Sequence, residues 1–194
     1  MYVIFEGIDT TGKSTQVQRF ADNNPNVLAT KEPGGTPLGI RLREILLGGE
    51  VKMSFNAELF LFLADRALHY DTIVKPHRHD RLVISDRGFL SGISYACANY
   101  EDIDGALVLQ MNQLALDGQY PEKIVLFLTN EALIKERLCL KEHDAIEERG
   151  VNYLLRIQAI MRRIIRTLPI QCLEIDASLS IEAIYQQIEE FLYD

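Results

Sequence analysis

An octapeptide near the start of the chain limits what the chain can fold into more than any other feature. It reads Gly7-Ile8-Asp9-Thr10-Thr11-Gly12-Lys13-Ser14 and fits G-x-x-x-x-G-K-[ST], the pattern of a phosphate-binding P-loop. A short apolar run precedes it, and residues 15–20 after it read as a helix. Because glycines at both ends let the backbone curl, successive N–H groups can point at a polyphosphate. The alternative is a glycine-containing turn that matches by chance, which would have to reproduce four fixed positions in the right setting.

Two side chains of this loop have predicted roles of their own. Lys13 would neutralise charge on the β- and γ-phosphates of a nucleotide, and the Ser14 hydroxyl would take a Mg²⁺ position. The predicted nucleotide-binding residues run without a break to the first residue after the motif: Gly7, Ile8, Asp9, Thr10, Thr11, Gly12, Lys13, Ser14 and Thr15.

Composition narrows the class of protein. The net charge is −8, from 20 Lys and Arg against 28 Asp and Glu, which argues against a general nucleic-acid or membrane-surface binder. Cys97, Cys139 and Cys172 are far apart and lack C-x-x-C spacing, as expected of thiols in a reducing cytoplasm. The first strand leaves no room for a signal peptide, and no apolar run approaches ~20 residues.

Predicted strands and helices alternate along the whole chain. Apolar runs predict strands at residues 2–5, 27–30, 82–86, 123–128 and 171–175, with helical periodicity between them. This pattern indicates an α/β fold: one domain, residues 1–194, with a parallel five-stranded sheet and helices on both faces. Ligands should then lie at the carboxyl ends of the strands, where the P-loop, Glu32, Asp86 and Asp176 fall.

Charged residues collect near these predicted strand ends. Asp86 follows an apolar strand and resembles a Walker-B carboxylate that would help Ser14 to place Mg²⁺, although a strand-end Asp can also cap a helix. The arginines that border the same predicted cleft are Arg41, Arg43, Arg66 and Arg87. Since a guanidinium fork matches phosphate oxygens bidentately, this gathering predicts a second phosphorylated ligand.

Two further segments each admit two interpretations. The helix predicted over residues 55–74 is apolar almost all round, which indicates an interior core helix or a subunit interface. The charge run at residues 141–150 is either a solvated helix hairpin or a lid that closes over ATP. The four histidines, His69, His77, His79 and His143, lack ligand-like neighbours in sequence and are predicted to have core or surface roles.

Taken together, these residues resemble the thymidylate kinases among the P-loop nucleoside monophosphate kinases, over nearly the whole chain. The likeness lies in Asp9 of the P-loop, Glu32-Pro33-Gly34-Gly35-Thr36, Leu42-Arg43, Phe62-Leu63-Ala64-Asp65-Arg66, Ser85-Asp86-Arg87, Ser91, Tyr95 and Tyr120-Pro121. The resemblance implies transfer of the γ-phosphoryl of ATP to dTMP with Mg²⁺, and a homodimer formed through residues 55–74.

The resemblance also implies roles for single residues. Asp9, Lys13, Arg87 and a lid cation at Lys141 would be catalytic, and Ser14 and Asp86 would hold the metal. Phe62 would stack on thymine, Arg66 would reach its O4, and Tyr95 would crowd the 2′ position of the sugar. The full set implied for dTMP is Asp9, Glu32, Arg43, Phe62, Arg66, Arg87, Ser91 and Tyr95.

The chain departs from the family pattern in two places. The family usually has a catalytic arginine either in the P-loop or in the lid, and this chain has Thr10 and Ala145 at those two positions. Lys141, Arg149 or Arg137 would have to substitute for it, and Lys141 is favoured. Polar residues that often contact the base are Gly92 and Ala96 here, so thymine recognition would rely on Phe62 and Arg66.

Other functions remain open on the sequence. One is another small-molecule P-loop kinase, and another is a kinase fold without activity, which the missing lid arginine would permit. A GTPase switch is a third, but such switches usually read guanine through Asn-Lys-x-Asp, which this chain lacks.

Overall fold

Five parallel strands form the centre of the molecule. A computed structural model describes residues 1–49, 51–100, 102–138 and 150–193. The strands lie in the order β2-β3-β1-β4-β5, and every neighbouring pair is parallel. They are β1 (Tyr2–Glu6), β2 (Val27–Lys31), β3 (Leu82–Asp86), β4 (Lys123–Leu128) and β5 (Gln171–Asp176). The predicted α/β fold with a parallel five-stranded sheet is confirmed.

Helices connect the strands, as the alternating pattern predicts. They are α1 (Lys13–Asn23), α2 (Pro37–Leu47), α3 (Phe55–His69), α4 (Lys75–His77), α5 (Phe89–Asn99), α6 (Gly105–Ala115), α7 (Glu131–Leu138), α8 (Val151–Ile165) and α9 (Ile181–Tyr193). A π-helical turn at Tyr70–Val74 continues α3 into α4. The helix predicted over residues 55–74 is therefore continuous, with a wider last turn.

The core lies in two layers, one on each face of the sheet. Tyr2 and Ile4 of β1 belong to the layer covered by α5, α6 and α8, whereas Val3 and Phe5 belong to the layer covered by α1 and α9. Successive side chains of a strand point to opposite faces, so a strand covered on both sides is apolar throughout. This arrangement explains why β1 reads as a continuous apolar run.

The parallel register brings the loops after β1, β2 and β3 to one edge of the sheet. Phe5 and Lys31 both pair with Asp86, so the three strands end side by side. The P-loop, Glu32 and Arg87 follow these ends directly. This edge is where the sequence predicts the ligands.

One apolar surface of α3 and α6 stays uncovered in the single chain. Phe60 is 55% exposed, and Leu107 and Leu114 are 53% and 82% exposed. The helix at residues 55–74 is thus not buried on all sides within one chain.

No helix in the described residues combines the length and apolarity needed to cross a membrane. The predicted lid lies outside the described residues, apart from Gly150.

Candidate active site

The P-loop wraps tightly between β1 and α1. Gly7 has φ +145°, and a Cβ atom there would lie 2.8 Å from the carbonyl oxygen of Phe127, so only glycine fits. The Thr11 hydroxyl donates to the carbonyl of Ile8 at 2.9 Å. Ile8 itself has its side chain in the core, so only its backbone belongs to the loop surface.

Lys13 is buried within this loop. Its Nζ donates to the Ile8 carbonyl at 2.6 Å, and its side chain is almost fully enclosed. Burial lowers the pKa of Lys13 to about 7, with the nearby charge of Arg87 acting in the same direction. A polyphosphate in the loop would supply the negative charge that this ammonium group lacks.

A hydroxyl and a carboxylate meet beside Lys13, at the start of α1. The Ser14 Oγ donates to the Asp86 Oδ2, which joins the P-loop to the end of β3. These hard oxygen donors suit Mg²⁺, which commonly binds one or two protein groups together with substrate phosphates. Within the described residues, no cluster of three or more His, Cys, Asp or Glu could hold a metal without a substrate.

Arg87 joins the P-loop to the neighbouring cavity. Its Nη1 donates to the Gly7 carbonyl and the Ser91 Oγ, each at 3.0 Å, and its Nη2 donates to the Asp9 Oδ1 at 2.5 Å. The residue has φ +70°, which is unusual for a side chain of this size and is held by these three bonds. Such local strain, fixed by its surroundings, is typical of functional sites.

Asp9 is the shared acceptor of this cluster. Its Oδ2 accepts from the Tyr95 hydroxyl at 3.2 Å while its Oδ1 accepts from Arg87. Burial by itself would raise the pKa of Asp9, but the positive charges of Arg87 and Lys13 outweigh burial, so the pKa is lowered. Asp9 is therefore a carboxylate at the boundary between the P-loop and the cavity.

The cavity beside Arg87 has a volume of about 320 Å³ and lies between α2, α3 and α5. Phe62 and Tyr95 give it aromatic walls, and Arg43, Arg66 and Arg87 make it basic. Every residue that the sequence implied for the acceptor lines it: Asp9, Glu32, Arg43, Phe62, Arg66, Arg87, Ser91 and Tyr95. An aromatic, anionic molecule of small size matches this lining. Arg41 lies outside it and faces Glu44 on the surface.

Glu6 and Arg137 belong to the site, although no motif in the sequence indicates a role for Glu6. Glu6, fully buried, accepts from the backbone N–H and the hydroxyl of Ser91. Arg137 donates to the Thr10 carbonyl at 2.7 Å and to the Ala177 carbonyl at 2.8 Å, so it ties the P-loop to the loop after β5. The sequence offered Arg137 only as one substitute for the missing arginine, and nothing in its spacing indicates these two contacts.

Comparison with known proteins decides the family of the chain. The family model described as thymidylate kinase matches residues 5–188. The chain is 49% identical to the thymidylate kinase of Campylobacter curvus and 50% identical to that of Sulfurovum sp., over 99% of each chain. The chain belongs to the thymidylate kinase family. A crystal structure of thymidylate kinase from Ehrlichia chaffeensis has a TM-score of 0.78 and 27% identity, covering 100% of this chain and 98% of that one.

The structure clarifies where this chain departs from the family pattern. Thr10, in place of a P-loop arginine, has φ +66°, and its carbonyl accepts from Arg137. Gly92 packs closely against Arg66, since a Cβ atom there would lie 3.2 Å from the Arg66 Nη1 and would crowd the guanidinium. Lys141, Ala145 and Arg149 lie outside the described residues, so the lid cation stays a prediction.

The lowered pKa of Lys13 predicts that the protein takes up a proton when a nucleotide binds. In the free protein its pKa of about 7 leaves the amine mostly neutral at pH 8, and a bound polyphosphate would raise that pKa. Binding of ATP at pH 8 should therefore take up close to one proton per site, and affinity should fall as pH rises above about 7. Calorimetry in two buffers of different ionisation enthalpy measures the uptake. Lys13→Arg, which stays charged when free, should abolish most of it.

Proposed function

We propose that this protein transfers the γ-phosphoryl group of ATP to dTMP, giving dTDP and ADP. The observation that carries the proposal is the junction of two sites at Arg87 and Asp9. On one side lies the P-loop with Lys13, and on the other lies a basic, aromatic cavity of nucleotide size. A donor and an acceptor placed on either side of Arg87 would meet at their phosphates.

The expected location of the protein is the cytoplasm, as the scattered cysteines suggest.

The cavity walls account for recognition of the acceptor. Phe62 offers a ring face for the thymine base, and Arg66 offers N–H donors for its O4. Arg43 and Arg87 would hold the phosphate of dTMP from α2 and from the end of β3. Tyr95, held by its bond to Asp9, would occupy the space that a ribose 2′-hydroxyl needs.

Phosphoryl transfer asks the protein mainly for positioning and charge neutralisation. Lys13 would hold the β- and γ-phosphates, and Arg87 lies where it can contact the transferring group and the acceptor phosphate together. Asp9 orients Arg87 and keeps the acceptor sugar in place. Ser14 and Asp86 would hold Mg²⁺, which when bound neutralises phosphate charge. Lys141 is proposed as a cation that the lid adds on closing.

The uncovered apolar surface of α3 and α6 supports a homodimer. Phe60, Leu107 and Leu114 are large, apolar and mostly exposed in the single chain. Contiguous exposed apolar surface is characteristic of interfaces between subunits. We propose that two copies pair through residues 55–74 together with α6.

An assay of ADP release against a panel of nucleoside monophosphates tests the proposed function. With ATP and Mg²⁺, dTMP should give the highest kcat/KM among dTMP, dUMP, dCMP, dGMP, dAMP and UMP. UMP should be poor because Tyr95 disfavours its 2′-hydroxyl. The proposal fails when dTMP gives no turnover above the ATP-only blank while another acceptor does.

A further inference from the structure

A chain of hydrogen-bonded side chains includes Glu32, Arg66 and Asn112, which line the acceptor cavity. It begins at the Thr30 Oγ1, which lies 2.8 Å from the His69 Nε2, and continues from the His69 Nδ1 to the Glu32 Oε1 at 2.8 Å. The Glu32 Oε2 accepts from the Arg66 Nε at 2.8 Å. The Arg66 Nη1 donates to the Asn112 Oδ1, and the Asn112 Nδ2 donates to the carbonyl of Val108. Four of these side chains, those of Glu32, Arg66, His69 and Asn112, are almost fully buried.

The directions of these bonds follow from the charge of Glu32. Burial alone would raise the pKa of Glu32, but the guanidinium of Arg66 and the bond from His69 outweigh burial, so the pKa is lowered. As a carboxylate, Glu32 can only accept, so the His69 Nδ1 and the Arg66 Nε must both carry hydrogens toward it. Arg66 is thus fixed on one side by Glu32 and on the other by Asn112.

One edge of the Arg66 guanidinium remains for a ligand. Its Nη2 has no hydrogen-bond partner among the residues that the structure describes, and Arg66 lines the acceptor cavity. A Cβ atom at Gly92 would lie 3.2 Å from Nη1 and 3.4 Å from Nη2, so the glycine lets α5 pack closely against the guanidinium without a side chain that could bond to it. Ala96, also on α5, lines the cavity with no polar atom in its side chain.

We propose that Glu32, His69 and Asn112 are positioning residues that set the choice of pyrimidine by fixing the direction of the free Arg66 donors. This inference rests on the proposed function, because it concerns the base of the acceptor. A guanidinium carries donors only, so a 4-oxo pyrimidine can accept from Nη2, whereas a 4-amino pyrimidine presents a donor to it. Discrimination of this kind is strong only where the buried donor cannot turn away.

Two substitutions weaken the hydrogen bonds that hold Arg66, one on each side of its guanidinium. Glu32→Gln keeps the shape of the side chain but removes the charge that holds Arg66 and His69. Asn112→Leu keeps a similar volume and removes the acceptor for the Arg66 Nη1. A matched control is Glu122→Gln, the same chemical change at another arginine partner, since Glu122 accepts from the Arg78 Nη2 at 2.6 Å. Neither Glu122 nor Arg78 lines the acceptor cavity.

The measurement is the ratio of kcat/KM for dUMP to that for dCMP, because these acceptors differ only in the 4-substituent and in the hydrogen that N3 carries in uracil. In each of the two variants the ratio should fall about tenfold or more, since a misdirected guanidinium loses its bond to the 4-oxo group. The KM for ATP should stay within about threefold of the native value, because the chain of bonds does not reach the P-loop. Glu122→Gln should leave the ratio unchanged.

Two outcomes separate this inference from the proposed function. A ratio that stays native in both folded variants, with only the melting temperature lowered, would show that the chain of bonds is structural, and it would overturn the inference. Should the native protein phosphorylate neither dTMP nor dUMP, the proposed function fails. The ratio is then measured as Kd for dUMP and dCMP by calorimetry without ATP, which tests the positioning of Arg66 independently.

Discussion

Replacing Arg87 with alanine is expected to lower kcat/KM for dTMP by about a thousandfold, as losses of preorganised charged donors commonly do. Among the residues that the structure describes, Arg87 is the one side chain that contacts the P-loop backbone, Asp9 and Ser91 together. Its loss removes a predicted phosphate contact and also leaves the Asp9 carboxylate partly buried without its cation. The loss of both contacts should affect kcat as well as KM for dTMP.

Two further variants define what the Arg87 result means. Arg87→Lys keeps the charge but not the planar fork that reaches Gly7 and Asp9 together, so it should recover only part of the activity. Arg162→Ala removes a surface arginine that is paired with Glu174 and should leave kcat/KM unchanged. Retention of more than a tenth of native kcat/KM in Arg87→Ala would contradict the assigned role.

Lys13→Met should lower kcat by about a thousandfold without unfolding the protein. Methionine keeps the length of the lysine stem, but it removes the ammonium that would contact the β- and γ-phosphates. Because burial depresses the pKa of Lys13 to about 7, the folded protein gains little from this charge when no nucleotide is bound. Loss of the bonds to Ile8 and Thr11 is offset by the easier burial of methionine, so the melting temperature should stay within about 4 °C.

Activity and thermal unfolding of Lys13→Met are therefore measured on the same preparation. Added ATP should raise the melting temperature of the native protein and do so much less in the variant, since stabilisation by a ligand follows its affinity. An active variant would exclude Lys13 from phosphate binding. A large drop in melting temperature would show instead that the buried ammonium supports the fold.

Much of this molecule could be predicted from short stretches of sequence. The P-loop pattern and the apolar runs predict a strand–loop–helix unit in a parallel sheet, and the carboxyl ends of parallel strands meet at one edge. For that reason the sequence predicts residues as distant as Asp9 and Arg87 in one site, and the structure brings them into contact. The lining of the acceptor cavity by all the residues implied for dTMP follows from the same geometry together with the family resemblance.

The local sequence pattern could not predict which buried polar side chains form hydrogen bonds with one another. The family resemblance implies that Glu32 binds the acceptor, and the sequence predicts a core or surface role for His69. In the structure Glu32 lines the cavity but gives both oxygens to His69 and Arg66.

The sequence by itself determined the sheet, the P-loop and the family, because these depend on local periodicity and on motifs with fixed spacing. Only the tertiary structure decided that Asn112 anchors Arg66 across 46 residues and that Arg137 anchors the P-loop across 127. It also decided that Lys13 is buried enough to lower its pKa. Partner choice and burial depend on how helices pack on the sheet, which no short stretch of the chain encodes.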